Sequence, residues 1–261
     1  MSEWFLGTIG FSYKDWVGEF YPKHTSQRDY LAYYSKNFNC VEIDSTFHAI
    51  PKPSIVQSWF NITPNEFIFC LKTPRIITHE IGLKASIGLM SEFLDSIKPL
   101  EHKTGPILIQ LPPSYTQARI SDLQIFIESL PVNFQYAIEF RHPSWYNDKT
   151  TLLLRKYHIC WVTIDYPNIP KDIRLSTDFI YMRWIGINGM YRGHSFERVE
   201  KRSELMSWFE MINSNQESVQ RIYGFFNNDY TGFAAGTCKR FLQLSGITQD
   251  DQSTPYQKRL F

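Results

Sequence analysis

The sequence predicts an α/β protein built as a single-domain TIM (β/α)8-type barrel. Three observations predict it. Short apolar runs alternate with helix-period runs about eight times, as such a barrel requires. Several apolar runs end in a charged or amide residue. No composition shift or Gly/Ser-rich linker divides the 261 residues. Parallel strands buried on both faces read as near-continuous apolar stretches. The main competitor is a doubly wound open sheet. Its phosphate-binding spacing, G-x-G-x-x-G, is missing from the first strand-to-helix turn, GTIGFSYKDW, and no G-x-x-x-x-G-K-[ST] occurs. The domain is expected over residues 1–248, with 249–261 as a polar C-terminal tail.

Residues 4–11 read as the first strand, closing on Gly7 and Gly10. An aromatic loop, SYKDWVGEFYP, separates it from a helix near 26–37, and Leu31, Tyr34 and Phe38 recur at helical spacing there and just beyond. Residues 40–46, CVEIDST, form a second strand whose period of two puts Glu42 and Asp44 on one face and Val41 and Ile43 on the other. The FHAIPKPS turn leads into a short helix with Ile55, Val56, Trp59 and Phe60. The third strand, 67–72, ends in Lys72, and Ile87, Met90, Leu94 and Ile97 then line one helical stripe. The fourth, 106–112, ends in Gln110 and a double proline that cannot continue a central strand. Leu123, Phe126, Ile127 and Leu130 mark the next amphipathic helix.

The fifth strand, 136–141, opens the stretch YAIEFRHPSW and presents Glu139, Arg141 and His142 together. Asp148 is placed to cap a helix running through Tyr157. Residues 160–165, CWVTID, end in Asp165 ahead of the loop YPNIPKD. Residues 179–186 form a strand containing Arg183. A loop with Asn188, Tyr191 and His194 precedes a helix bearing Leu205, Trp208, Phe209 and Ile212. The last strand, 221–228, ends in Asn227 and Asn228, and a terminal helix starts at Asp229 or Thr231 and runs through Phe241 and Leu244.

A hydrophobic fraction of 43% is enough for a sizeable core, and the 16% aromatic content supplies much of its area. Net charge is +1, from 27 basic and 26 acidic residues, so no global field favours nucleic acid or an anionic membrane. Cys40, Cys70, Cys160 and Cys238 are far apart without C-x-x-C spacing, which suits reduced, buried thiols. The N-terminus lacks the pattern of a secretory leader, and no apolar run reaches the ~20 residues that cross a bilayer. The expectation is a soluble, cytoplasmic protein with no membrane partner.

In a barrel of this type the active site lies at the C-terminal ends of the strands. Glu42, Asp44, Glu139 and Asp165 set against Lys72, Arg141 and Arg183 suit general acid–base work on an anionic, phosphorylated or sugar-like ligand. The guanidiniums would clamp a phosphate or carboxylate bidentately. The catalytic candidates are Glu139, Asp165, Glu42 and Lys72. The substrate-binding candidates are Tyr13, Trp16, Gln110, Arg141, His142, Arg183 and Asn227. A divalent metal, Mg²⁺ or Mn²⁺, on Glu42, Asp44, Glu139 or Asp165 is the next reading. His48 and His142 stand alone in sequence and fit a hydrogen-bonding role better than ligation.

Lys72 would be a Schiff-base nucleophile if burial lowered its pKa, although a strand-end lysine is more often an ion-pair partner. Tyr13, Trp16, Trp145, Tyr146 and Trp184 would form a stacking wall for a sugar or base, although each singly is expected to pack. Two alternatives compete with an enzyme. One is a nucleic-acid or nucleotide-binding protein without catalysis. The other is a scaffold in which Glu139–Arg141 and Asp165–Arg183 form a buried ionic network. No G-x-S-x-G, H-E-x-x-H or Cys/His cluster points to a serine hydrolase or zinc enzyme.

Taken in order, GTIGFSYKDWVGEFYP, VEIDSTFH, FCLKTP, LIQLPPS, AIEFRHPSW, Asp165 followed by Pro167, MRWIG and FFNN closely resemble the motifs of the domain of unknown function 72 (YecE-like) family. The resemblance implies a TIM-barrel-type fold. It also implies that Tyr13, Trp16, Glu42, Lys72, Gln110, Glu139, Arg141, Asp165, Arg183 and Asn227 are motif residues, and it brings a cavity without a settled hydrolase or isomerase activity. Three positions depart from the pattern: Phe11 in place of Trp, His48 in place of Tyr, and Arg183-Trp184-Ile185-Gly186 in place of R-x-H-G. A histidine role carried by R-x-H-G would here fall to His48 or His194.

Overall fold

The apolar runs become parallel strands, seen in a computed structural model that describes residues 2–248; the tail predicted at 249–261 lies outside them. The strands are β1 (Glu3–Thr8), β2 (Cys40–Ile43), β3 (Ile68–Lys72), β4 (Thr104–Gln110), β5 (Tyr136–Glu139), β6 (Cys160–Trp161), β7 (Thr163–Asp165), β8 (Phe179–Trp184) and β9 (Arg221–Phe226). One sheet runs β2-β3-β4-β5-β6 and the other β1-β9-β8-β7, every neighbour parallel. Together with the intervening helices they make an α/β single domain.

The two sheets are joined at both edges. Only Val162 separates β6 from β7, and its N–H donates to Ile138 O at 3.0 Å, so one run of chain feeds both sheets. At the other edge an isolated bridge pairs Ile9 with Glu42, and Gly10 N–H donates to Glu42 O at 2.7 Å. That edge is tight. A Cβ on Gly7 would lie 2.1 Å from Cys40 O and 2.8 Å from the Tyr34 hydroxyl, so only glycine lets β1 approach β2.

Between the sheets lies an apolar cluster built from alternate strand residues. β1, β8 and β9 give it rings, Phe5, Phe179, Tyr181, Tyr223 and Phe225, while β2, β3, β5 and β6 give small side chains, Cys40, Cys70, Ala137 and Cys160. Large groups from one side fill the space left by small ones on the other, which is how an interior reaches crystal-like density. A larger cluster lies between the opposite strand faces and the helices. All four cysteines are buried and unpaired.

The helices are α1 (Tyr30–Tyr34), α2 (Pro53–Ile62), α3 (Ile87–Ile97), α4 (Ile120–Glu128), α5 (Asp148–Lys156), α6 (Arg202–Asn213), α7 (Asn228–Thr231) and α8 (Ala234–Ser245). Three differ from expectation. The first is shorter, because Gln27–Asp29 forms a 3-10 turn before α1. The cap of α5 is Asn147, whose side chain accepts from Thr150 N–H at 3.1 Å, and Asp148 is the first helical residue. The terminal helix is split at Gly232, whose φ of 107° ends α7 in the left-handed region. A π-helical turn at Ile76–Glu80 follows β3 and was not anticipated. Among the described residues no helix is long and apolar enough to cross a membrane.

Candidate functional site

Five polar residues each follow, by two positions, a residue of the inner cluster or of its layer: Glu42 after Cys40, Lys72 after Cys70, Gln110 after Leu108, Glu139 after Ala137 and Arg183 after Tyr181. The period of two therefore sets all five on the inner face, toward the C-terminal ends of their strands.

Arg183 is the hub. Its Nε donates to Glu42 Oε2 at 2.9 Å and its Nη2 to Glu42 Oε1 at 2.7 Å, while Nη1 donates to Glu139 Oε2. Tyr181 O–H donates to Glu42 Oε2 at 2.9 Å, and Arg141 Nε donates to Glu139 Oε1. Glu42 and Glu139 are 0% exposed and Arg183 is 3% exposed. Ionised groups so deeply buried persist only when paired and hydrogen-bonded, and here every carboxylate oxygen has a donor.

The two carboxyls are pushed in opposite directions. Burial lifts Glu42 above its usual value, against the opposing pull of Arg183 and the Tyr181 hydroxyl. Burial also acts upward on Glu139, but Arg141 and Arg183 together outweigh it and hold the group at about 2. Such divergence within one site is a hallmark of acid/base machinery and also of structural networks.

Lys72 stands apart from this network. It is half-buried, its Nζ lies 3.8 Å above the Phe47 ring, and among the described residues it makes neither hydrogen bond nor ion pair through that nitrogen. Burial first, and Arg183 next, lower it to about 8, against the pull of Glu139 and Glu42. His79, on the π-helical turn, has its ring 5.1 Å from that of Phe47 and its Nδ1 2.7 Å from Thr78 Oγ1. Burial, then the Lys72 and Arg75 charges, bring His79 to about 4.

Asp165 does not join the hub. In the β7–β8 register Ile164 faces Arg183 and Asp165 faces Trp184, so Asp165 has the opposite parity. Its Oδ2 accepts from Trp208 Nε1 and from Tyr230 O–H, both at 2.8 Å, and Lys171 Nζ lies 3.6 Å from Oδ1. The expected Asp165–Arg183 pair is thus replaced by Glu42–Arg183–Glu139. Asp165 instead lines a cavity of about 500 Å³ together with Tyr166, Lys171, Tyr191, Lys201 and Tyr230. Tyr166 links the two regions, because the Arg141 guanidinium lies 4.2 Å above its ring.

The remaining candidates are placed by local bonds. Gln110 Nε2 donates to Leu111 O at 2.9 Å, His142 Nδ1 accepts from Ser144 N–H at 3.1 Å, and Asn227 Oδ1 accepts from Asp229 N–H at 2.8 Å. Tyr13 O–H donates to Ile9 O at 2.7 Å, and burial followed by Asp44 and Glu42 raises its pKa. Trp16 is wholly buried and donates to Asn228 Oδ1 at 3.2 Å. Trp145 and Trp184 are equally buried, so within the expected stacking wall these three rings pack the core, and Tyr13 and Tyr146 keep partial exposure.

The donor set fits a metal poorly. The oxygens of Glu42 and Glu139 are taken by guanidiniums, and among the described residues no group of three or more His, Cys, Asp or Glu is placed to hold one. His48 is exposed on the turn after β2. The sequence reading missed Tyr181, Phe47, His79, Tyr166, Trp208 and Tyr230. Of these, Tyr181 was within reach, since it shares strand parity with Arg183.

A family model described as protein of unknown function DUF72 matches residues 5–259. The UPF0759 protein YecE of Escherichia coli K12 is 38% identical over 116 residues, which cover 44% of this chain and 43% of that protein. The UPF0759 protein YunF of Bacillus subtilis 168 is 25% identical over 271 residues, 93% of this chain and 95% of that protein. A crystal structure of a DUF72 family protein from Thermotoga maritima MSB8 is similar with a TM-score of 0.81 and 31% identity, covering 94% of this chain and 100% of the other. A second, from Enterococcus faecalis V583, gives 0.78 at 20% identity over 95% and 97% of the two chains.

Proposed function

The chain belongs to the DUF72 family, and from the placement of its strand-end charges we propose that it is an enzyme of hydrolase or isomerase type acting on a small anionic, phosphorylated or sugar-like substrate. The observation that carries this reading is the contrast within the inner-face layer. Glu42, Glu139 and Arg183 satisfy one another out of solvent, whereas Arg141 and Lys72 keep accessible surface at the C-terminal ends of their strands. The buried carboxylates fix the guanidiniums. Arg141 binds the anion, and the cavity beside Tyr166 and Asp165 takes the rest of the ligand.

The fold completes the proposal as a closed eight-stranded barrel, with β6 and β7 counted as one strand. Support comes from the shared interior cluster, the Val162 continuity and the Ile9–Glu42 bridge. Four unpaired thiols support a cytoplasmic location. A second reading, a structural scaffold, is favoured by the complete burial of Glu42 and Glu139.

Titrating wild type and Arg141→Ala with inorganic phosphate and glucose 6-phosphate, followed by calorimetry, tests the enzyme reading. Saturable binding weakened about tenfold or more in the variant is expected, the scale of one charged hydrogen bond. Absence of binding by both ligands to wild type sinks it and leaves the scaffold.

A further inference from the structure

We propose that Lys72 is the nucleophile of this site and forms an imine with the carbonyl carbon of an aldehyde or ketone substrate that carries an anionic group. The inference rests on the anion-binding reading above and narrows its substrate to carbonyl compounds.

Position comes first. Lys72 is the last residue of β3 and shares the inner face with Glu42, Glu139 and Arg183. Its backbone is fixed on both sides: Thr46 O–H donates to Lys72 O at 2.7 Å, and the next residue, Thr73, donates its N–H to Leu108 O at 2.8 Å. A strand-end lysine ordinarily answers a carboxylate. Here both nearby carboxylates have given all four oxygens to other donors, and the amine rests on the Phe47 face instead. That leaves the nitrogen uncommitted, and the Arg141 side chain, close enough for its charge to act on Lys72, retains 12% exposure for the substrate's anionic end.

The electrostatics agree with the geometry. Burial, then Arg183 and more weakly Arg141, act against the ammonium, Glu139 and Glu42 for it, and the balance at about 8 leaves a usable fraction of free amine at neutral pH. His79, at about 4, is neutral there and adds no second positive charge beside the amine.

The step balances without a further reactant. The amine lone pair forms a C–N bond while the carbonyl π pair moves to oxygen, which takes a proton. The carbinolamine then loses its hydroxyl as water, assisted by a proton, to give a protonated imine. That cation is an electron sink for removing a neighbouring proton or breaking a neighbouring C–C bond, and hydrolysis restores Lys72.

The test is reductive trapping on the intact chain. Wild type, Lys72→Arg and Lys72→Met are treated with limiting glyceraldehyde 3-phosphate and sodium cyanoborohydride, with and without excess inorganic phosphate, and the adduct is mapped by peptide mass spectrometry. The expected result is a secondary-amine adduct at Lys72, enriched at least tenfold over other lysines, suppressed by phosphate and absent from both variants. Adducts spread over the lysines without enrichment at Lys72 overturn the inference. If phosphate still raises the wild-type melting temperature in that case, only the imine falls. If phosphate has no effect, the anion-binding reading falls with it.

Discussion

Arg183 on β8 grips Glu42 on β2 at two points, Nε to Oε2 at 2.9 Å and Nη2 to Oε1 at 2.7 Å, and so ties together strands from different sheets. Its third nitrogen holds Glu139. Replacing Arg183 with Met would strand two carboxylates that have no solvent. The expected cost is about 3–5 kcal/mol, as for breaking other buried pairs. At this chain length that is a fall in Tm of roughly 10 °C, read by calorimetry. A variant melting within a degree or two of wild type would show that the network contributes nothing net to stability.

Glu139 makes stability depend on acid. Its folded value of about 2 lies below the ordinary 4.5, so its contribution is present above pH 4.5 and disappears as pH falls toward 2. The shift corresponds to about 3 kcal/mol at the usual free energy per pKa unit. Glu42 is shifted the other way and offsets part of this. The difference between wild type and Glu139→Gln in urea titrations isolates the Glu139 share, and wild type should lose the greater stability over that window. Parallel pH profiles for the two proteins would contradict it.

Lys72 should behave as a stability liability. Its folded value of about 8 is below 10.5, so wild type carries the cost of a buried cation below pH 8 and sheds it as pH rises toward 10.5. Lys72→Met is therefore expected to melt higher than wild type at pH 7 and to converge with it near pH 10.5. A variant that melts lower at pH 7 would mean that the ammonium is stabilised by the surrounding acids.

Gly7 is confined by its neighbours rather than by its dihedral angles. A methyl there meets Cys40 O at 2.1 Å, a backbone atom that cannot swing aside. Gly7→Ala is expected to cost ~3 kcal/mol or more, at the upper end for overpacking. Denaturant melts measure this, and Gly88→Ala, which has open space, serves as the control.

The strand ends were legible because Glu42, Lys72, Glu139 and Arg183 each interrupt an otherwise apolar run, and parity alone fixed the Glu139–Arg141 contact. Which acid meets Arg183 was not legible. Glu42 and Arg183 are 141 positions apart, and their pairing depends on how two sheets face one another. The register that opposes Ile164 to Arg183 also removed Asp165 from the hub. Tyr181, Phe47 and His79 went unmarked because their roles depend on neighbours supplied by other strands. The π-helical turn that presents His79 leaves no periodic signature in five residues.

At the edge where β1 meets β2, the Glu42 backbone makes the bridge and the Glu42 side chain receives Arg183. One residue is thus both the fastening of the wall and the anchor of its charges. Any fluctuation that parts these strands must also slacken Arg183, then Glu139, and finally Arg141. On the proposed reading, structural integrity and readiness to bind are accordingly a single property of this molecule, and a partly opened form would be blind to its ligand.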